Sequence, residues 1–188
     1  MNGRVIWITG LASAGKTTLA EGLALRLKEN GLHPILLDGD ILRNIFKNDT
    51  SKQQYYDRTS RINLGLKYGL LCQNLSKQGF TVVIATISMF DEVYIWNREN
   101  ISNYFEVYLK VPLNELCLRD NKNIYQRYRN GMINDVVGLD LPIDEPRTAD
   151  VIYDFDLQPT LWESPGNLAN NLMEALEQRS FLILEQQK

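Results

Sequence analysis

The sequence predicts an α/β fold of three layers, a mostly parallel sheet with helices on both faces. Short apolar runs alternate with helical stretches along the chain, the pattern of repeated βαβ units. The first run leads into a glycine-rich loop that opens a helix. The chain has 188 residues, 44% hydrophobic and 23% charged, which suits one domain with a sizeable core.

The elements follow in order. VIWIT (5–9) is a β-rich apolar run closed by glycine, the pattern of a buried strand. Residues 16–30 carry Leu19, Leu23, Leu25 and Leu27 among Ala, Glu and Lys, and Asn30-Gly31 ends them as a helix C-cap. PILLD (34–38) is a second strand. From 58 to 78 a helical stripe runs through Ile62, Leu66, Leu70, Leu71 and Leu75 and stops at Gly79. FTVVIAT (80–86) is the strongest strand pattern. Residues 91–102 read as helix, 104–111 as strand and 112–130 as helix again. DVIYDF (150–155) is a late strand. A last helix spans about 164–185, with Ser164 as N-cap and Pro165 at its first position. INDVVGLD (133–140) reads as an apolar pair running into a turn, either core filler or the floor of a site.

Composition excludes several classes. Twenty basic and 23 acidic side chains give a net charge of −3, against a bulk nucleic-acid binder. Two cysteines and one histidine suggest neither a disulfide framework nor a zinc site. No run reaches the roughly 18 apolar residues of a membrane span, and the N-terminal run is too short for a signal segment. A cytoplasmic protein without membrane or nucleic-acid partners is expected.

After the first strand comes GLASAGKTT (10–18). Gly10, Gly15, Lys16 and Thr17 fit G-x-x-x-x-G-K-[ST] without deviation. Glycines let successive N–H groups face one anion, and the helix adds its positive end. The motif predicts a nucleotide-binding protein of three-layer P-loop NTPase fold, with residues 1–188 as a single domain. Gly10, Ala12, Ser13, Ala14, Gly15, Lys16, Thr17 and Thr18 are the candidate ATP-binding residues. Lys16 reaches the phosphates as a catalytic cation, and Thr17 holds magnesium.

LDGDILR (37–43) places Asp38 and Asp40 at the end of the second strand. Ligands in such sheets sit beyond the strand C-termini, so these acids face the transferred phosphate. An acceptor hydroxyl needs an orienting carboxylate. Asp40 fits that catalytic role, and Arg43, one helical turn on, suits an anionic substrate. Asp-Gly-Asp also fits a turn with an N-cap aspartate.

With both motifs in place, the chain resembles the adenylyl-sulfate kinase family over roughly 4–155. GLASAGKTT resembles that family's GLSGAGKST, and LDGDILR its LDGDNVR. ISMF (87–90) is similar to ISPF, with Arg98 at the spacing of a later family arginine. VPLNELCLRDNKNIY (111–125) is similar to APLEVCEARDPKGLY, and VVGLDLPIDEP (136–146) to FTGIDDPYEAP. The resemblance implies transfer of phosphate from ATP to the ribose 3′-hydroxyl of a nucleotide conjugate. It implies Arg43 and Arg58 as substrate-anion ligands, and Ile87 and Ser88 as a substrate-lining corner. It further implies Arg119 and Lys122 as cations of a lid over about 119–135. The cluster Arg119, Lys122, Arg127 and Arg129 agrees, although a solvated helix face also accounts for the last two. The family often forms dimers, which admits a homodimer here.

The chain departs from the family around the acceptor. TSKQQYYDRTSRI (50–62) keeps Asp57-Arg58 but has Arg61 at the family's asparagine and Gln53 at its aromatic position. FTG becomes VVG, so Val136 stands where the family stacks a phenylalanine on the substrate base. Tyr55 or Tyr56 replaces one stacking face if the loop shifts. Two acceptors are therefore weighed: adenylyl sulfate, and a pyrimidine conjugate such as cytidine diphosphoramidate, used in surface polysaccharide modification. The missing aromatics favour the second, with Arg61 meeting its extra charge. A catalytically inactive nucleotide-binding regulator is the alternative of another class.

Overall fold

The computed structural model describes residues 3–46, 57–179 and 181–182. Within them, five strands form one sheet: β1 (Arg4–Gly10), β2 (Ile35–Asp38), β3 (Thr81–Ala85), β4 (Tyr104–Lys110) and β5 (Val151–Asp154). Their order is β2-β3-β1-β4-β5, and every pairing is parallel. Parallel strands need long crossovers, and helices supply them.

The alternation along β1 explains the layers. Ile6 and Ile8 point to one face, where they meet α1 (Lys16–Glu29) and α7 (Pro165–Gln178) through Leu19, Leu23, Leu172 and Leu176. Val5 and Trp7 point to the other, against Tyr68 and Cys72 of α3 (Arg58–Lys77) and Val93 of α4 (Asp91–Asn100). All of these side chains are buried. A strand covered on both faces must be apolar throughout, which is why VIWIT shows no polar alternation. The α/β fold expected from the sequence is the one observed.

Local chemistry sets the boundaries. The Asp57 carboxylate accepts from Ser60 N at 3.0 Å and starts α3, and Ser164 accepts from Gly166 N at 3.2 Å and starts α7. Two expectations need correction. The helix over 112–130 is two helices, α5 (Leu113–Arg119) and α6 (Ile124–Arg129). Asn123 has φ of 53°, and the Asp120 carboxylate accepts from Tyr125 N and Gln126 N, so a new helix starts there. The last helix ends at Gln178, not 185, because Phe181 N and Leu182 N turn back to the Leu176 carbonyl. The helical turn from Asp40 to Arg43 belongs to α2 (Gly39–Phe46), which follows β2 directly. INDVVGLD forms the expected turn, with a Val137–Leu141 bridge and its Asp135 and Val136 amides both donating to Asp140. No helix among the described residues is long and apolar enough to cross a membrane.

Candidate active site

The loop between β1 and α1 lies at the centre of the sheet's C-terminal edge. Gly15 has φ of 95°, a left-handed conformation that a side chain resists, and it lets the chain turn straight into α1 at Lys16. The opening of α1 lines a cavity of about 560 Å³, within the range of small-molecule sites. Residues 12–19 form its floor. Lys16 Nζ donates to the Leu11 carbonyl at 2.6 Å, and burial pulls its pKa down to about 8. Tyr125 of α6, itself buried, donates from its hydroxyl to the Ala12 carbonyl at 3.0 Å and ties α6 to the loop.

The acids of LDGDILR divide their work. Asp38 Oδ1 accepts from Asp40 N at 2.8 Å and Ile41 N at 3.4 Å, so it caps α2 as the turn reading expects. Its Oδ2 accepts from the Thr17 hydroxyl at 2.8 Å. A hydroxyl beside a carboxylate is an oxygen donor set that suits magnesium arriving with phosphate oxygens. No cluster of three His, Cys, Asp or Glu exists among the described residues, so the fit is to an ion held partly by nucleotide phosphates. Asp40 pairs with Arg43 Nη1 at 3.1 Å and with Lys122 Nζ across 82 positions of chain. Partial burial pushes its carboxyl up, but Lys122, Arg43 and Lys16 outweigh burial and hold it below the ordinary range.

The structure gathers Lys16, Thr17, Asp38, Asp40, Arg43, Arg61, Ile87, Arg119 and Lys122 around this cavity. It leaves three expected substrate residues off the cavity wall. Arg58 turns to Glu92 at 2.8 Å and Asp144 at 2.5 Å and lies over the Phe90 ring. Ser88 is buried in a hydrogen bond of 2.9 Å with Thr86. Val136 is buried, and Val137 is the one that lines the cavity. Gln53, Tyr55 and Tyr56 lie outside the described residues.

The family profile described as Adenylylsulphate kinase matches residues 2–154. The chain belongs to the adenylylsulphate kinase family. A cytidine diphosphoramidate kinase of Campylobacter jejuni is 40% identical over 176 residues, 94% of each chain. An adenylyl-sulfate kinase of Picosynechococcus is 35% identical over 173 residues, 92% of this chain and 94% of the other. Among solved structures, the Mycobacterium tuberculosis APS kinase CysC in complex with AMPPNP and APS superposes with a TM-score of 0.81 at 27% identity, over 94% of this chain and 98% of that one. The protein is therefore a kinase, a phosphotransferase of the adenylylsulphate kinase family.

Family membership gives the Asp135–Leu141 turn its meaning. Gly138 has φ of 86°, and a Cβ there would come within 2.7 Å of Leu11 in the phosphate loop. The glycine lets the adenylyl-sulfate kinase-like turn press on the loop. Arg61 Nη2 donates to the Asp135 carbonyl at 2.8 Å, bracing α3 against the same turn. Sequence reasoning missed Thr86, Asn121, Trp162, Pro165 and Leu168, all on the cavity wall, and of the apolar pair it weighed as a site floor it chose Val136 where Val137 is the lining residue. Of those missed, only Asn121 had a local signal, as part of the lid stretch over 119–135.

Proposed function

We propose that this kinase transfers the γ-phosphoryl group of ATP to the ribose 3′-hydroxyl of a nucleotide conjugate, and that the conjugate is cytidine diphosphoramidate. The observation that carries the acceptor assignment is the wall of Val137, Ile87 and Arg61, which presents no ring to a base and has Arg61 where the family pattern has an asparagine, while Val136, at the family's phenylalanine position, lies off that wall. Stacking a base on an aromatic contributes about 1–3 kcal/mol, and a large purine has most to lose when that ring is replaced. A diphosphate bridge brings negative charge that the Arg61 guanidinium suits. The name of the Campylobacter relative supports the same reading. Adenylyl sulfate is the second reading, favoured by the Gly138 turn and its Asp140 closure, which keep the family form.

The loop amides and Lys16 bind the donor phosphates, and Thr17 with Asp38 would hold magnesium, which neutralises phosphate charge when bound. Asp40 orients the acceptor 3′-hydroxyl. The hydroxyl oxygen forms a bond to the γ-phosphorus as the bond to the β–γ bridging oxygen breaks. The hydroxyl proton passes to Asp40, and ADP leaves. Lys122 must first release Asp40, so lid cations move onto the phosphates as the site closes and excludes water.

The test compares kcat/KM for cytidine diphosphoramidate and adenylyl sulfate at one ATP concentration, with the product identified by mass. The expected preference for the cytidine compound is about tenfold or more, from the stacking difference. A preference for adenylyl sulfate removes the pyrimidine assignment and leaves the second reading.

A further inference from the structure

The cavity spans the sheet. Asp38 and Asp40 follow β2 at one edge, the phosphate loop follows β1 at the centre, and the segment after β5 closes the opposite edge. A donor whose γ-phosphate faces Asp40 therefore sends its base toward the β5 side. At that end Arg119 meets two aromatic rings. Its guanidinium carbon lies 5.1 Å from the Phe155 ring centroid and 5.5 Å from that of Trp162, and its Nε donates to Glu115 at 2.9 Å. The two rings meet edge to face at 5.5 Å. The Trp162 indole N–H is buried with no acceptor among the described residues, so packing and the cation set its position. Arg119 and Trp162 both line the cavity, beside Pro165 and Leu168. Phe155 and Trp162 lie beyond the residues that the family profile matches.

We infer that Phe155 and Trp162 are positioning residues for the donor base, holding the Arg119 guanidinium flat as a stacking face at the β5 end of the cavity. A guanidinium is planar and stacks on aromatic rings, and both properties serve a base on one face and Trp162 with Phe155 behind it. Without the rings Arg119 keeps its charge and loses its plane. The phosphate loop, tied to Tyr125 rather than to Trp162, is left as it is. The inference rests on ATP being the donor.

The test measures equilibrium binding of ATP and of inorganic triphosphate, a probe with phosphates and no base, to wild type and Trp162→Ala without acceptor. The expected result is ATP affinity about tenfold weaker, with triphosphate affinity changed less than about twofold. In turnover, KM for ATP rises by the same factor while kcat at saturating ATP holds. Trp162→Phe restores most of the loss. If Trp162→Ala does not fold, Phe155→Leu gives the same contrast, since it removes a ring behind Arg119 and leaves the guanidinium in place. Equal losses for ATP and triphosphate overturn the inference, because they mark a scaffold defect. Unchanged ATP affinity overturns it too, and leaves the kinase reading intact. A wild-type protein that binds neither probe overturns both.

Discussion

Lys16 and Asp40 show how far one charge depends on its surroundings. Burial pulls Lys16 down to about 8 from an ordinary 10.5, because an ammonium taken out of water loses the solvation that favours its charged form. Between those values the unfolded chain holds a proton that the folded protein lacks, so this group makes the ligand-free protein gain stability as pH rises from about 8 to 10.5. Phosphate favours the charged form. ATP binding near pH 8.5 is therefore expected to take up protons, and binding near pH 7 to take up almost none. Calorimetry in buffers of different ionisation enthalpy reads this directly, and equal uptake at both pH values would sink it. Asp40 is the opposite case, a carboxylate kept charged by Lys122 and Arg43. As the proposed proton acceptor it predicts that Asp40→Asn lowers kcat by about 10²-fold or more. Single-turnover rates with unchanged unfolding midpoints check this, and near-normal turnover removes Asp40 from the role.

The elements around the cavity differ in how well the sequence announces them. The phosphate loop is contiguous and glycine-coded, so GLASAGKTT could be read residue by residue. The break between α5 and α6 could not, since it depends on Asp120 turning its carboxylate forward to Tyr125 N and Gln126 N rather than lying on a continuous helix. Asp120→Ala removes that cap at a cost of about 1 kcal/mol. A six-residue helix has little else of its own, so the amides of Ile124–Arg129 are expected to exchange faster while those of β4 do not. Unaltered exchange in α6 would show that Tyr125 packing alone holds it. Within the turn at 133–140, which of the two valines faces the cavity was equally illegible. Both valines are buried and only Val137 touches the cavity, a one-residue difference of facing that lies below the resolution of an apolar pair. Trp162 was invisible because it reaches the cavity only through the packing of β5 and α7.

At the scale of the whole molecule, a charged network on the far side from the phosphates holds the layers together. Arg98 of α4 reaches Glu106 of β4 at 3.2 Å, Asp150 before β5 at 3.0 Å and the Thr148 carbonyl at 2.6 Å. Asp150 also accepts from Glu106 N at 2.8 Å and pairs with Arg179 after α7 at 3.4 Å. One cluster thus joins both helical layers to the β4–β5 half of the sheet that carries Phe155 and, beyond it, Trp162. Glu106 is fully buried, and burial pushes its carboxyl above the ordinary range despite Tyr104 and Arg98. Removing one partner of a fully buried pair costs about 3–5 kcal/mol, and Arg98 is partly exposed, so Arg98→Met is expected to cost about 2–3 kcal/mol. The pH dependence follows from the sign of the shift. With its pKa raised, folded Glu106 keeps a proton that the unfolded chain has already lost, so its contribution to stability falls as pH rises above the ordinary glutamate value. Loss of the guanidinium raises Glu106 further and steepens that fall. Urea unfolding is therefore expected to show a larger deficit for Arg98→Met at pH 8 than at pH 5, and Glu106→Gln in the same background should recover part of it. Equal deficits at the two pH values would mean that Arg98 acts by packing against Tyr104, whose ring lies 5.3 Å from its guanidinium, and not by neutralising Glu106.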